Sequence, residues 1–141
     1  MKKVILKAEN LHYSYNKEHE VLKGVSLDIY EGERLAVLGA NGSGKSTFFL
    51  NINGVLKPES GAVYYRDKLI NKSSIKELRK NVGIVFQDAD NQIIASTVRA
   101  EVSFGPMNLG LSREEVTKRV LDSLNYMDIS HLIDRPPHYL S

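Results

Sequence analysis

Hydrophobic and polar positions alternate near the start of the chain and take a helical spacing near its end. Leu11, Tyr13 and Tyr15 alternate with His12 and Ser14, and Val25, Leu27 and Ile29 alternate with Ser26 and Asp28. A period of two predicts half-buried strands of an antiparallel sheet. Arg34-Leu35-Ala36-Val37-Leu38 and Val82-Gly83-Ile84-Val85-Phe86 are instead short, mainly apolar runs, the pattern of parallel strands covered on both faces. Between them, Phe48, Phe49 and Ile52 predict a helix ending near Asn53-Gly54. Pro58-Glu59-Ser60-Gly61 then reads as a turn, and Ala62-Val63-Tyr64-Tyr65 as a strand. Ser74-Ile75-Lys76-Glu77 reads as a capping box on a short helix.

Past Gln87 the chain is polar and loop-like as far as Gln92, and then helical. Thr97 is placed to cap a helix running toward Gly105-Pro106, and Ser112-Arg113-Glu114-Glu115 is a second capping box. Val116, Val120, Leu124 and Met127 form an apolar stripe behind it, and Pro136-Pro137 stops whatever precedes. The division predicted is an α/β part over residues 1–87 and a helical part over residues 88–141.

Gly39-Ala40-Asn41-Gly42-Ser43-Gly44-Lys45-Ser46, followed by Thr47, fits G-x-x-x-x-G-K-[S/T], the phosphate-binding loop. The glycines allow the backbone to curl so that successive N–H groups face phosphate oxygens. A helix opening directly after the loop adds its N-terminal amides and dipole to the anion site. Lys45 supplies a point charge for the β- and γ-phosphates, and the Ser46 hydroxyl is a ligand for Mg²⁺. An apolar run before the loop and a helical pattern after it supply the strand-loop-helix context that a chance glycine-rich turn would lack.

Composition narrows the partners. Nineteen basic and 17 acidic residues leave a net charge of +2, spread along the 141 residues, which is no footprint for nucleic acid or an anionic membrane. With no cysteine there are no disulfides, thiolate metal sites or cysteine nucleophiles, a composition that fits a reducing compartment. No apolar run approaches the length of a membrane span, and Lys7 and Glu9 interrupt the segment behind the basic Met1-Lys2-Lys3, against a signal peptide. Work at a membrane would therefore need another chain as anchor. His12, His19, His131 and His138 have no metal-ligand spacing, and Asp88 and Asp90 read as solvated loop carboxylates.

Tyr15, Val21-Leu22-Lys23-Gly24-Val25-Ser26-Leu27, Gly32-Glu33, the phosphate loop, Val85-Phe86-Gln87 and the terminal Leu140-Ser141 occur in the order of the ATP-binding cassette (ABC) ATPases, which the whole chain resembles. Phe86-Gln87-Asp88 with Asn91-Gln92, then Phe104 to Leu111, is most similar to the cobalt-type, energy-coupling-factor importers. The fold implied is a P-loop NTPase (RecA-like) α/β core with an antiparallel β part and a helical subdomain, incomplete at the C-terminus.

The resemblance also assigns roles. Tyr15 matches the aromatic that stacks on adenine, worth about 1–3 kcal/mol by analogy with base stacking on proteins. An ordinary strand tyrosine is the bland alternative. Val21 walls the same pocket or simply packs in the core. Gln87 matches the glutamine that reaches Mg²⁺ or a water, against the alternative of a solvated strand end. Leu140-Ser141 match the first two letters of L-S-G-G-Q, which would make Ser141 a contact to the γ-phosphate of a partner protomer. The family's acidic strand, catalytic glutamate and switch histidine come later than residue 141. The 141 residues alone are thus expected to bind ATP weakly and not to hydrolyse it.

For the parent protein the resemblance implies ATP and Mg²⁺ as cofactors and a second ATP-binding subunit. It also implies transmembrane subunits docking near Gln87 and the helical part, at the cytoplasmic face of the membrane, with uptake of a metal ion or vitamin. A soluble ABC protein would share the loop and glutamine but often carries long inserts or a basic stripe, which this chain lacks. A GTPase would want N-K-x-D, which is absent. A non-catalytic nucleotide-binding module remains the third alternative.

Overall fold

The structure, a computed structural model, describes residues 2–16, 18–88 and 92–140. They fall into two compact units, residues 1–84 and 85–141.

In the first unit, β1 (Val4–Asn16) and β2 (His19–Tyr30) form a long antiparallel hairpin. Helix α1 (Lys45–Ile52) follows, then β3 (Ser60–Tyr65), the short β4 (Lys68–Leu69) and α2 (Ile75–Asn81). The sheet order is β2-β1-β3-β4, with every pair antiparallel. The two alternating stretches at Leu11 and Val25 thus lie in neighbouring strands, and their register puts Leu11 opposite Val25. Residue Asn10, at φ 48°, is a bulge: pairing jumps from Ala8 to Leu11 against β2 and from Glu9 to His12 against β3. Such an extra residue increases strand twist while keeping apolar residues on one face on either side of it. Leu6, Ala8, Leu11, Leu22, Val63 and Tyr65 of the sheet bury against Phe48 and Ile52 of α1 and Leu78 of α2. Full burial of one such leucine stabilises by about 1.5–3 kcal/mol.

Two of the expected buried strands do not form. Residues 34–38 and 82–86 pair with no strand among the described residues, and Leu38 and Val85 are 90% and 95% exposed. The reason is that a parallel ladder is made by a neighbour. An apolar run specifies that a segment should be covered without specifying what covers it. The Ser74 box also differs from expectation: Ser74 makes no side-chain cap. Its hydroxyl accepts from Asn71 N and donates to the Leu69 carbonyl, while Glu77 reaches Lys68.

The second unit contains α3 (Val98–Asn108) and α4 (Arg113–Tyr126), then 3₁₀ turns at Ser130–Leu132 and Pro137–Tyr139. Thr97 and Ser112 cap the two helices, their hydroxyls accepting from Ala100 N and Glu115 N. Val98, Val120 and Leu124 form the core, with Val102, Val116, Ile129 and Ile133 against it. Met127, the fourth member of the predicted stripe, is 65% exposed because α4 has ended before it. Arg99 ties α3 to the segment just after the Ser130–Leu132 turn through Asp134 at 3.0 Å. Among the described residues no helix is long and apolar enough to cross a membrane.

Candidate functional site: a glycine loop opening helix α1

The loop before α1 is bent by local chemistry. Ser43 N donates to the Ala40 carbonyl at 3.2 Å, closing a turn, and Gly42 and Gly44 take φ of 80° and 89°. Side chains rarely adopt such angles. Gly44 meets a second demand: a Cβ there would lie 3.1 Å from the Val21 carbonyl oxygen and 3.2 Å from Val21 Cγ1. The bare glycine lets β2 approach the start of α1, which is how Val21 comes to stand beside the loop. Helix α1 then opens from Gly44 with no capping side chain and no acidic residue in its first turn. Its N-terminal amides and dipole favour an anion at that end.

Lys45 turns back over this loop. Its Nζ donates to the carbonyls of Gly39 at 2.8 Å and Ala40 at 2.7 Å. The ammonium therefore sits where the loop begins, and an arriving phosphate oxygen would exchange with one of these carbonyls. Ser46 and Asn41 are exposed at the same place. A cleft of ≈310 Å³ adjoins the loop, with Leu22, Leu27, Leu38, Phe48 and Lys45 in its walls and no acidic residue among those lining it.

Tyr15 reaches the helix that follows the loop. Its phenol lies 3.2 Å from Thr47 Oγ1, and its ring meets that of Tyr13 at 5.1 Å and 86°. Thr47 is buried at 5% exposure while Tyr15 is 62% exposed, so a half-free aromatic is tied at its tip to the phosphate-loop helix. Neither this bond nor the return of Lys45 to its own loop was anticipated from sequence. A hydroxyl residue in the first helical turn, facing inward, was the available hint.

Other singled-out residues are placed elsewhere. Gln87 is exposed and lies in the second unit. Asp90, Asn91 and Ser141 lie outside the described residues. His12 is paired with Glu20 on the hairpin. The Lys7–Glu9 ion pair, at the β1 surface, raises the Lys7 pKa and lowers that of Glu9, each chiefly through their mutual hydrogen bond. No cluster of three or more His, Asp or Glu side chains among the described residues could hold a metal ion. A metal at this site would take its ligands from single side chains, phosphate and water.

The protein-family model described as "ABC transporter" matches residues 22–141. The energy-coupling factor transporter ATP-binding protein EcfA of Methanococcus maripaludis is 48% identical over 139 residues, 97% of this chain and 50% of that protein. EcfA3 of Clostridium perfringens is 47% identical over 143 residues, covering all of this chain and 50% of that one. Among solved structures, CbiO1 of Clostridium perfringens, part of the ABC transporter complex CbiONQ, matches with a TM-score of 0.85 at 46% identity, over 99% of this chain and 57% of that one. The dimeric ATP-binding cassette MJ0796, bound to ADP and Pi after hydrolysis, matches with a TM-score of 0.78 at 29% identity, over 97% of this chain and 63% of its own. The fold is accordingly the α/β fold of ABC ATPases, with an antiparallel sheet and a helical part. The chain spans about half the length of the curated relatives it matches.

Proposed function

This chain belongs to the ABC transporter family, and on that premise we propose that residues 39–47 hold the triphosphate of ATP within an energy-coupling-factor type importer. The observation that carries this is the loop itself. Two left-handed glycines and a helix opening at Lys45 aim backbone dipoles at one point, with an ammonium already on the spot. Tyr15, whose phenol lies against Thr47, is taken as the adenine platform, and Val21, beside Gly44, as a wall of the same pocket, both on the family resemblance. Ser46 carries a hard hydroxyl oxygen of the kind Mg²⁺ takes, in a loop whose other ligands would be phosphate and water. Mg²⁺ held there would supply positive charge against the phosphates. Gln87 has an amide oxygen of the same character, and its role at Mg²⁺ or a water follows from the family resemblance.

The chain's own residues orient and neutralise the phosphates. We expect the 141 residues by themselves to bind nucleotide without turning it over, since turnover needs a general base to orient water and the residues assigned above supply only positioning and charge. The complete protein works as a pair of cassettes, peripheral to the cytoplasmic face of the membrane and docked on transmembrane subunits near Gln87 and α3. Hydrolysis there powers uptake of a metal ion or vitamin. CbiO1 as part of a transporter complex, and MJ0796 as an ADP-bound dimer, support the pairing and the partner class. The test is steady-state phosphate release. Activity is expected from the complete protein, none from its Lys45→Ala variant and none from residues 1–141 alone. Undiminished release by Lys45→Ala would refute the proposal.

A further inference from the structure

We infer that Glu101 is a positioning residue for Gln87: its carboxylate fastens the segment that follows Gln87 to the start of α3, so that the two move as one piece. This rests on the role proposed for Gln87 at Mg²⁺ or a water. Residues 93–97 lie in neither helix nor strand, so no ladder fixes their backbone. A single carboxylate oxygen does so instead. Glu101 Oε2 accepts from Ile94 N at 3.0 Å and from Ala95 N at 2.8 Å. Just upstream, Gln92 Nε2 donates to the carbonyl of Asp88, the residue after Gln87, at 2.9 Å. Two side chains thus link the neighbour of Gln87 to α3, all within the second unit.

Glu101 suits this part by place and charge. It is half-buried in the first turn of α3, where the helix dipole favours a carboxylate. Thr97 already caps that helix through Ala100 N, so the Glu101 carboxylate is left to serve amides outside it. Hydrogen bonds to an ionised acceptor are about twice as strong as neutral ones. Two successive N–H groups on one oxygen also fix the direction of the backbone they belong to. Without them residues 94–95 come away from α3, and Gln87 loses its fixed relation to that helix. Misplacing a group that positions the reacting atoms lowers the rate by roughly tenfold to a hundredfold. The phosphate loop belongs to the other unit and keeps its grip on ATP.

The experiment is steady-state ATP hydrolysis with Mg²⁺ by the full-length protein. Glu101→Ala is expected to lower kcat by roughly tenfold to a hundredfold and to leave KM unchanged. Glu101→Gln keeps an acceptor oxygen in place and should recover most of the loss. Gln92→Leu, which cannot donate to Asp88, should show the same loss in kcat alone. Amide exchange at Ile94 and Ala95 should quicken in Glu101→Ala. Gln87→Ala should itself lower kcat, and Glu101→Ala should add little on that background. Wild-type kcat in Glu101→Ala or in Gln92→Leu would overturn the inference. So would an undiminished effect of Glu101→Ala when Gln87 is already alanine, or a KM that rises as kcat falls, since either marks a merely structural role. Wild-type kcat in Gln87→Ala would remove the role of Gln87 itself, and the inference with it.

Discussion

Gly44→Ala and Gly42→Ala separate two reasons for glycine in the phosphate loop. Both residues have positive φ, 89° and 80°, so both substitutions force an L side chain into the left-handed region. That costs about 1–2 kcal/mol. At Gly42 nothing lies within 4 Å of the new Cβ, so the backbone cost is the whole effect. At Gly44 the Cβ comes within 3.1 Å of the Val21 carbonyl oxygen and 3.2 Å of Val21 Cγ1. That carbonyl belongs to β2, which is laddered to β1 at Glu20 and Leu22 on either side, so it cannot withdraw without moving the strand. Overpacking of this kind adds about 1–3 kcal/mol. Gly44→Ala should therefore destabilise the nucleotide-free protein by about 1–3 kcal/mol more than Gly42→Ala. Urea denaturation followed by circular dichroism measures this. Adding Val21→Ala to Gly44→Ala should recover the part due to Cγ1 but not the part due to the carbonyl. If the two alanine variants agree to within about 0.5 kcal/mol, Val21 does not approach the loop as described.

Other outcomes follow from the same contacts. Ser112→Ala removes the cap of α4 and should destabilise the second unit by about 1 kcal/mol, read as faster amide exchange at the start of that helix. The Arg119 guanidinium holds the Glu115 carboxyl below its ordinary value of 4.5, so the stabilisation of this exposed pair is present above that value and lost as pH falls through the lowered one. Carboxyl-carbon NMR titration should show Glu115 moving back up in Arg119→Gln, and an unmoved titration would dissociate the pair. Residues 1–141 alone should self-associate through exposed apolar segments such as 34–38, and sedimentation should show the association weakened by Leu38→Lys.

What could be foreseen in the residues was what neighbours in sequence decide. The Thr97 and Ser112 caps, the end of α1 at Asn53-Gly54 and the strand at Ala62–Tyr65 depend on contacts a few residues apart. Ser74 failed as a cap because Asn71 and Leu69, just upstream, claim its hydroxyl, a competition the four-residue pattern does not contain. The runs at 34–38 and 82–86 failed as strands because pairing is a non-local property. At the site, the glycine spacing and Lys45 announce a phosphate loop, whereas the Thr47–Tyr15 bond joins residues 32 positions apart and no periodicity encodes it. The nearness of Val21 to Gly44 has the same origin, since the hairpin and bulge of β1 and β2 set it.

The most direct measurement is a titration of ATP and Mg²⁺ into nitrogen-labelled protein, following the backbone amides of residues 41–47. These amides should shift saturably and more than those of the second unit, and should stay still in Lys45→Ala at the same concentrations. Amides of 41–47 that do not move while ATP binds elsewhere would contradict a phosphate cup at the start of α1.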